Sequence, residues 1–331
     1  MGAQLGRIVA SRRSLQALTI DPSAHAMNLR SFLKSTIENG ALWSGIPRAM
    51  RSRRQGDVLV LAYHNIVPRG EVAAGDRSLH LHQSRFAAQL DDVSRTHDII
   101  PLERALAGYT GRRPAAVVTF DDAYQGAVTA GVAELAQREL PATIFVTTAY
   151  LNGGDFWWDA LTAPGAIAPA PALRTRALDE CSGMDASIRA MAAREHLADV
   201  TSPPLHARGA HERDLAAAAA VRGITLASHT HSHPNLARLT EESMREELDR
   251  PLVWLRERFS NVLPMISYPY GLSSPAVERA AARAGYTAGF RIDGGWLPRV
   301  ASNAYALPRL NVASGLSAAG FALRCAGVRE R

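Results

Sequence analysis

The stretch Val117-Val118-Thr119-Phe120-Asp121-Asp122-Ala123-Tyr124 constrains this chain more than any other. An apolar, β-branched run ends abruptly in two adjacent carboxylates. Short continuous apolar runs suit strands covered on both faces, so this one reads as a buried strand carrying Asp121 and Asp122 to the rim of a sheet or barrel. Neighbouring side chains on a strand point to opposite faces. Both aspartates therefore reach one site only if the strand ends there and the backbone turns. Taken alone, the pair reads as readily as a strand end followed by an Asx turn or a helix cap.

The same pattern recurs along the chain. Asp57-Val58-Leu59-Val60-Leu61-Ala62-Tyr63-His64 is another buried run, with His64 at its end. Phe86, Leu90 and Val93 at helical spacing behind Ser84 predict a capped helix. Val128, Val132 and Leu135 predict the next helix, and residues 142–147 the next strand, a parallel βαβ rhythm. Residues 223–228 lead as a strand into Ser228-His229-Thr230-His231-Ser232-His233-Pro234. A helix is expected over 241–259, striped by Met244, Leu248, Leu252, Leu255 and Phe259, capped by Thr240 and kinked at Pro251. Residues 265–271 form a strand turning at Pro269-Tyr270-Gly271. Ser274-Pro275 opens a helix that Gly285 stops. Strands at 286–292 and 307–312 and a helix at 317–326 close the chain.

Residues 1–55 read as a basic leader with short helices at 31–37 and 41–50, and 56–331 as the main domain. Residues 163–220, rich in Ala and Pro, read as an insertion between core strands; His196, His206 and His211 fall there without a spacing that commits them to a metal. Six or seven strands interleaved with helices predict a (β/α) barrel. The first strand is followed by no Gly-rich phosphate loop, which argues against a dinucleotide-binding sheet.

The net charge of +6 is modest, with much of the excess in Arg48–Arg54. That segment reads as solvated, or at most as a peripheral contact with an anionic surface such as a membrane. No regular basic-aromatic pattern points to nucleic acid. Cys181 and Cys325 are too few for a disulfide framework and are expected as free thiols in a reducing compartment. No apolar run is long enough to span a bilayer, and the start of the chain has no signal-like apolar core. The expected address is cytoplasmic, peripheral to the inner membrane at most.

In a parallel barrel the active site lies at the C-terminal ends of the strands, where this reading puts His64, Asp121, Asp122, His229, His233 and Tyr270. His229 and His233, four apart, share one face of a helical turn and can both reach one cation. Two imidazoles and a carboxylate with an open position make a catalytic site for zinc or a similar ion. His-x-x-x-His alone is a weak signal; the convergence of strand ends carries the inference. His231 is expected to face elsewhere, as a surface or packing residue. Phe156-Trp157-Trp158-Asp159 reads either as core packing or as a wall for a sugar ring.

Thr119-Phe120-Asp121-Asp122, Ser228-His229-Thr230-x-x-His233-Pro234-x-Leu236 and Tyr268-Pro269-Tyr270-Gly271 resemble the first three motifs of the NodB-homology polysaccharide deacetylases, carbohydrate esterase family 4. The likeness spans about residues 57–312, omitting most of the insertion. Tyr63-His64, Phe156-Trp157-Trp158 and Leu307-Pro308-Arg309 resemble the branch associated with bacterial exopolysaccharide. The resemblance implies a deformed (β/α)7 barrel that removes acetyl groups from N-acetylhexosamine units of a cell-surface polysaccharide or its lipid-linked precursor, with the membrane or a glycan-synthesis complex as an expected peripheral contact. It implies Asp122, His229 and His233 as ligands of a divalent metal, most often zinc, with cobalt or nickel as alternatives. It further implies Asp121 as general base and the Tyr270 backbone N–H as an oxyanion donor, with Trp157, Trp158, Tyr268 and Trp296 along the substrate.

Two departures stand out. No histidine follows His233, so the family's late Leu-x-His acid is missing. His64 is the expected substitute; it resembles the early histidine of the biofilm poly-N-acetylglucosamine deacetylases, which look circularly permuted at this motif. Asp293 would orient or charge that acid. Ala123 stands where the family more often has glycine, which is harmless if φ stays negative. Without its usual acid the chain also reads as a carbohydrate-binding protein that no longer turns over, and the acyl chemistry alone allows a small non-sugar amide.

Overall fold

Every residue of β1 (Val58–Tyr63), β5 (Ala115–Phe120) and β6 (Ala142–Val146) is buried, as expected of parallel strands covered on both faces. The computed structural model describes residues 36–197, 202–299 and 301–328. The remaining strands among them are β2 (Asn65–Val67), β3 (His80–His82), β4 (Asp98–Ile99), β7 (Ile224–Ser228), β8 (Val262–Ser267), β9 (Ala288–Phe290) and β10 (Leu310–Asn311).

The main sheet is parallel throughout, in the order β10-β1-β5-β6-β7-β8-β9, with β4 on the edge of β5 before β6 takes over. Its two ends meet through one segment: Leu307 bridges Phe290 of β9, while Leu310 and Asn311 pair with Leu61 and Ala62 of β1. The sheet therefore curls into a deformed (β/α)7 barrel wrapped by helices. Parallel strands all present their C-terminal ends at one mouth.

The helices follow their apolar stripes. Gln83–Thr96 buries Phe86, Leu90 and Val93, but it starts two residues earlier than expected, so Ser84 lies inside it and caps nothing. Thr240 and Ser274 do act as caps, accepting from the N–H groups of Ser243 and Val277. Pro251 sits inside helix Glu241–Arg258 without ending it. The parallel pair β2–β3, which the sequence pattern did not announce, leaves the barrel directly after His64. In the leader, residues 36–43 and Ile46–Arg53 are helical, and the Ser317 hydroxyl donates to the Glu38 carboxylate at 2.6 Å. Residues 31–35 of the first expected leader helix lie outside the described residues. The stretch 163–220 carries helices Pro171–Asp179, Asp185–Arg194 and Glu212–Ala219. No helix among the described residues is long and apolar enough to cross a membrane.

Candidate active site

The strand carrying the aspartates ends as the pattern demands. Asp121 N–H still donates to the Tyr63 carbonyl at 2.9 Å, continuing the ladder. At Asp122 the backbone turns left-handed (φ 70°), and Ala123 follows at φ 56°. This swings Asp122 to the histidines while Asp121 keeps its inward direction. Ala123 therefore does not hold negative φ; it occupies the conformation a glycine would take without strain.

The Asp122 Oδ1 atom lies 3.4 Å from Nε2 of both His229 and His233. One ligand atom from each of the three falls within 4.8 Å of the others, and all three residues are buried. Oδ1 has no hydrogen-bond partner. A buried orphan oxygen between two imidazole nitrogens is the donor set a divalent cation would complete. Burial raises the Asp122 pKa well above the usual carboxylate range, and the charges of Asp121 and Asp159 add to the effect. Burial also lowers both imidazoles, His233 strongly, keeping them neutral and able to ligate. His229 is aimed by its Nδ1–H, which donates to the Ser267 carbonyl at 2.8 Å.

No helical turn brings the two histidines together. They sit on an irregular loop in which Thr230 (φ 66°) and His233 (φ 60°) are both left-handed. Glu247, buried on helix Glu241–Arg258, ties this loop down by accepting from the backbone N–H groups of His231 and Ser232 at 3.0 and 2.8 Å and from the Ser232 hydroxyl. His231 turns away from the other two rings, its Nδ1 2.8 Å from the Thr148 hydroxyl.

Asp121 has a partner that its sequence neighbourhood does not reveal. Arg309, fully buried, donates to both of its oxygens at 2.8 and 2.7 Å and also reaches the Thr119 and Ser267 hydroxyls. Burial works to raise the Asp121 pKa, but the Arg309 guanidinium and His229 outweigh it and hold this carboxylate well below its usual range. Two adjacent aspartates thus carry opposite electrostatic settings.

A cavity of about 130 Å³ opens over these groups. His64, Asp121, Asp122, His229 and His233 line it, with Trp157, Trp158 and Tyr270 as aromatic walls. Burial pushes the His64 imidazole down to about 4, against the pull of the Asp121 carboxylate. Trp157 Nε1 donates to the Tyr270 hydroxyl at 3.2 Å. Arg174, from the insertion, adds a cation at the wall; its guanidinium lies 3.7 Å from the buried Asp76 carboxylate. Neither Arg309 nor Arg174 was assigned to the site from sequence.

Three expected residues are not brought there. Tyr268 follows Ser267, whose hydroxyl donates inward to Asp121, so strand alternation turns the tyrosine outward into the core with Leu248, Val277 and Tyr286. Trp296 bridges Leu59 near the start of β1 and stacks under Arg54, at the opposite end of the barrel. Asp293 lies beyond β9 in an outer cleft, exposed and paired with Arg291 at 2.5 Å; the carboxylate that acts on His64 is Asp121.

Residues 108–289 match the family model described as Polysaccharide deacetylase. No curated protein matches the chain. Among solved structures, the Streptococcus pyogenes deacetylase PplD is similar over 80% of this chain and 96% of its own, at 18% identity and TM-score 0.51. IcaB from Ammonifex degensii is similar over 82% and 98%, at 17% identity and TM-score 0.51. BC0361, a polysaccharide deacetylase from Bacillus cereus, is similar over 82% and 69%, at 16% identity and TM-score 0.53. At these identities the structures speak for the fold, and the family match speaks for the chemistry at its mouth: this chain belongs to the polysaccharide deacetylase family.

Proposed function

We propose that this deacetylase hydrolyses the N-acetyl group of N-acetylhexosamine units in a bacterial exopolysaccharide or its lipid-linked precursor, with a divalent cation held by Asp122, His229 and His233. The observation that carries the reading is the unpartnered Asp122 Oδ1 between two buried imidazoles, at the floor of an aromatic-walled cavity. When bound, the ion supplies Lewis acidity toward the acyl oxygen and toward water. Zinc suits the donor set, with cobalt and nickel as alternatives.

The residues divide the remaining work. Asp121 takes the proton of the attacking water; Arg309 and Ser267 fix the carboxylate's plane while lowering its basicity. The Tyr270 backbone N–H, at a left-handed residue beside the cavity, donates to the developing oxyanion. His64, neutral at pH 7 by virtue of its burial, must gain a proton during the reaction before passing it to the departing amine. Trp157 and Trp158 wall the acetamido group and its ring. The basic leader, with exposed Ile37, Trp43 and Ile46 near Arg48 and Arg53, suits a peripheral contact at the inner face of the membrane, where a lipid-linked precursor would be met.

Acetate release from N-acetylglucosamine oligomers tests this, using protein stripped of metal and reloaded with zinc, cobalt or nickel, beside His64→Ala. Metal-dependent release that collapses in the variant is expected. Bound metal without release from any acetylated sugar would sink the substrate assignment.

A further inference from the structure

The two imidazoles of the candidate metal site are held in different ways. His229 has the usual outer hydrogen bond, to the Ser267 carbonyl. His233 does not: its Nδ1 is buried without a partner. Its ring is instead set by packing, with Tyr270 at 4.6 Å and Trp158 at 4.7 Å between centroids. A ligand oriented by ring contacts is only as well placed as the rings around it.

Trp158 is itself fixed from behind. Its Nε1 donates to the Tyr124 hydroxyl at 2.7 Å, and that hydroxyl donates to Asp159 Oδ2 at 2.8 Å. Asp159 Oδ1 takes two more hydrogen bonds at 2.8 Å, from His80 Nε2 and the Asp76 backbone N–H. His80 Nδ1 then accepts from Asn65 Nδ2, also at 2.8 Å, across the β2–β3 pair. With His80 donating from Nε2 and accepting at Nδ1, every donor in the chain finds an acceptor and the chain runs in one consistent direction. All of these side chains are buried. Even the backbone is shaped to it: Gly75 has φ +73°, and a Cβ there would lie 2.4 Å from Asp159 Oδ1.

We propose that Asp159, anchored by His80 and Tyr124, is the hub of a positioning network that locks Trp158 against His233 and so holds that imidazole in ligating orientation. The proposal rests on the reading of His233 as a metal ligand. It also accounts for a costly feature, a fully buried carboxylate outside the ligand set, and for the β2–β3 excursion that delivers Asn65 and His80.

Tyr124→Phe cuts the link while keeping the ring that packs on Phe156. Tyr109→Phe is the control, removing a phenol that donates to Asp98 at the far end of the barrel. Two readouts are taken: imidazole nitrogen NMR of His233 in metal-free protein, and zinc affinity by competition with a chelating dye. Tyr124→Phe is expected to shift the His233 ring resonances and to weaken zinc binding about tenfold, the low end for outer-sphere substitutions. Tyr109→Phe should move neither. Should Tyr124→Phe fail to fold, Trp158→Phe breaks the same link and carries the same expectation. His233 resonances and zinc affinity unchanged in the linked variant, or changed alike in both, would overturn the proposal. A parent that binds no zinc would defeat the metal reading alone; the resonances would still decide the positioning role.

Discussion

The two ends of the barrel share the same parallel strands and treat charge in opposite ways. At the N-terminal end charged groups are paired, each with an arginine that reaches solvent: Arg299 meets the buried Asp57 at 2.7 Å, Arg113 meets Asp98 at 3.2 Å, and Arg54 lies over Trp296. At the mouth Asp122, His229 and His233 are buried together, one carboxylate oxygen lacks any partner, and Asp122, Ala123, Thr230, His233 and Tyr270 all hold left-handed backbone. Such strain and unmet polarity persist only where the surroundings enforce them, and they cluster where a ligand completes the structure. One end is built to be stable alone. The other is built to be finished by something else.

Asp122→Asn should break the contrast most sharply. The change removes an anionic ligand, so turnover should fall about a thousandfold or more, given several kcal/mol of lost charge stabilisation. The metal-free protein should melt higher. Because the folded fold raises the Asp122 pKa, its stabilising contribution is present at low pH and lost as pH rises through that pKa, and a neutral amide avoids the loss. Asp57→Asn, at the other end, should leave turnover at the parent level. An Asp122→Asn protein that is both inactive and less stable without metal would contradict the electrostatic account.

Next in size is the arginine pair. Arg309→Met strands the Asp121 charge in the core and should cost about 3–5 kcal/mol in chemical denaturation. Arg299→Met removes a mostly exposed partner of Asp57 and should cost less than about 1 kcal/mol. Equal costs would mean that the mouth is far wetter than its geometry implies.

Acidification gives the third test. Burial depresses His64 to about 4 and also lowers His229 and His233, while unfolded histidines titrate near 6.5. The unfolded state thus takes up protons first, and stability present above pH 6.5 is lost as pH falls toward 4. Asp122 opposes this slope, so the loss is clearest in Asp122→Asn. His97, also depressed to about 4 by burial, shares the effect at the far end. Zinc should shift the acid transition of the parent, and His97→Gln should leave that zinc-induced shift intact. An acid transition indifferent to zinc would detach the histidines at the mouth from metal binding.

What could be read from sequence follows from distance along the chain. Strands ending in His64, Asp121–Asp122 and Ser228–His229 were legible because run and chemistry are contiguous, and parallel strands send every C-terminus to one mouth. Arg309 was not, because its bond to Asp121 joins residues 188 positions apart and its own neighbourhood, Leu307-Pro308-Arg309, shows no partner. The spacing of His229 and His233 suggested a helical turn, yet two left-handed residues achieve the same approach, a solution that side-chain type does not advertise. Trp296 and Tyr268 were misplaced for a related reason. An aromatic near a strand end can face the cavity, the outer helices or the other end of the barrel, and only the register and the neighbouring inward residue decide which.

Ala123 carries the finest version of the contrast, because there the mouth's strain falls on a residue with a side chain. Its left-handed backbone costs about 1–2 kcal/mol relative to glycine. Its methyl group is fully buried, however, and removing it forfeits roughly 0.8 kcal/mol of burial and loosens the unfolded chain by a similar amount. The two effects nearly cancel, so Ala123→Gly should change the melting temperature by no more than about 2 °C, a shift worth roughly 1 kcal/mol in a domain of this size. Zinc affinity should hold within about threefold, since Asp122 keeps its own φ. A larger gain in stability would mean that the methyl is strained as well as the backbone. A marked loss of zinc affinity would mean that this methyl helps to hold the Asp122 turn in place.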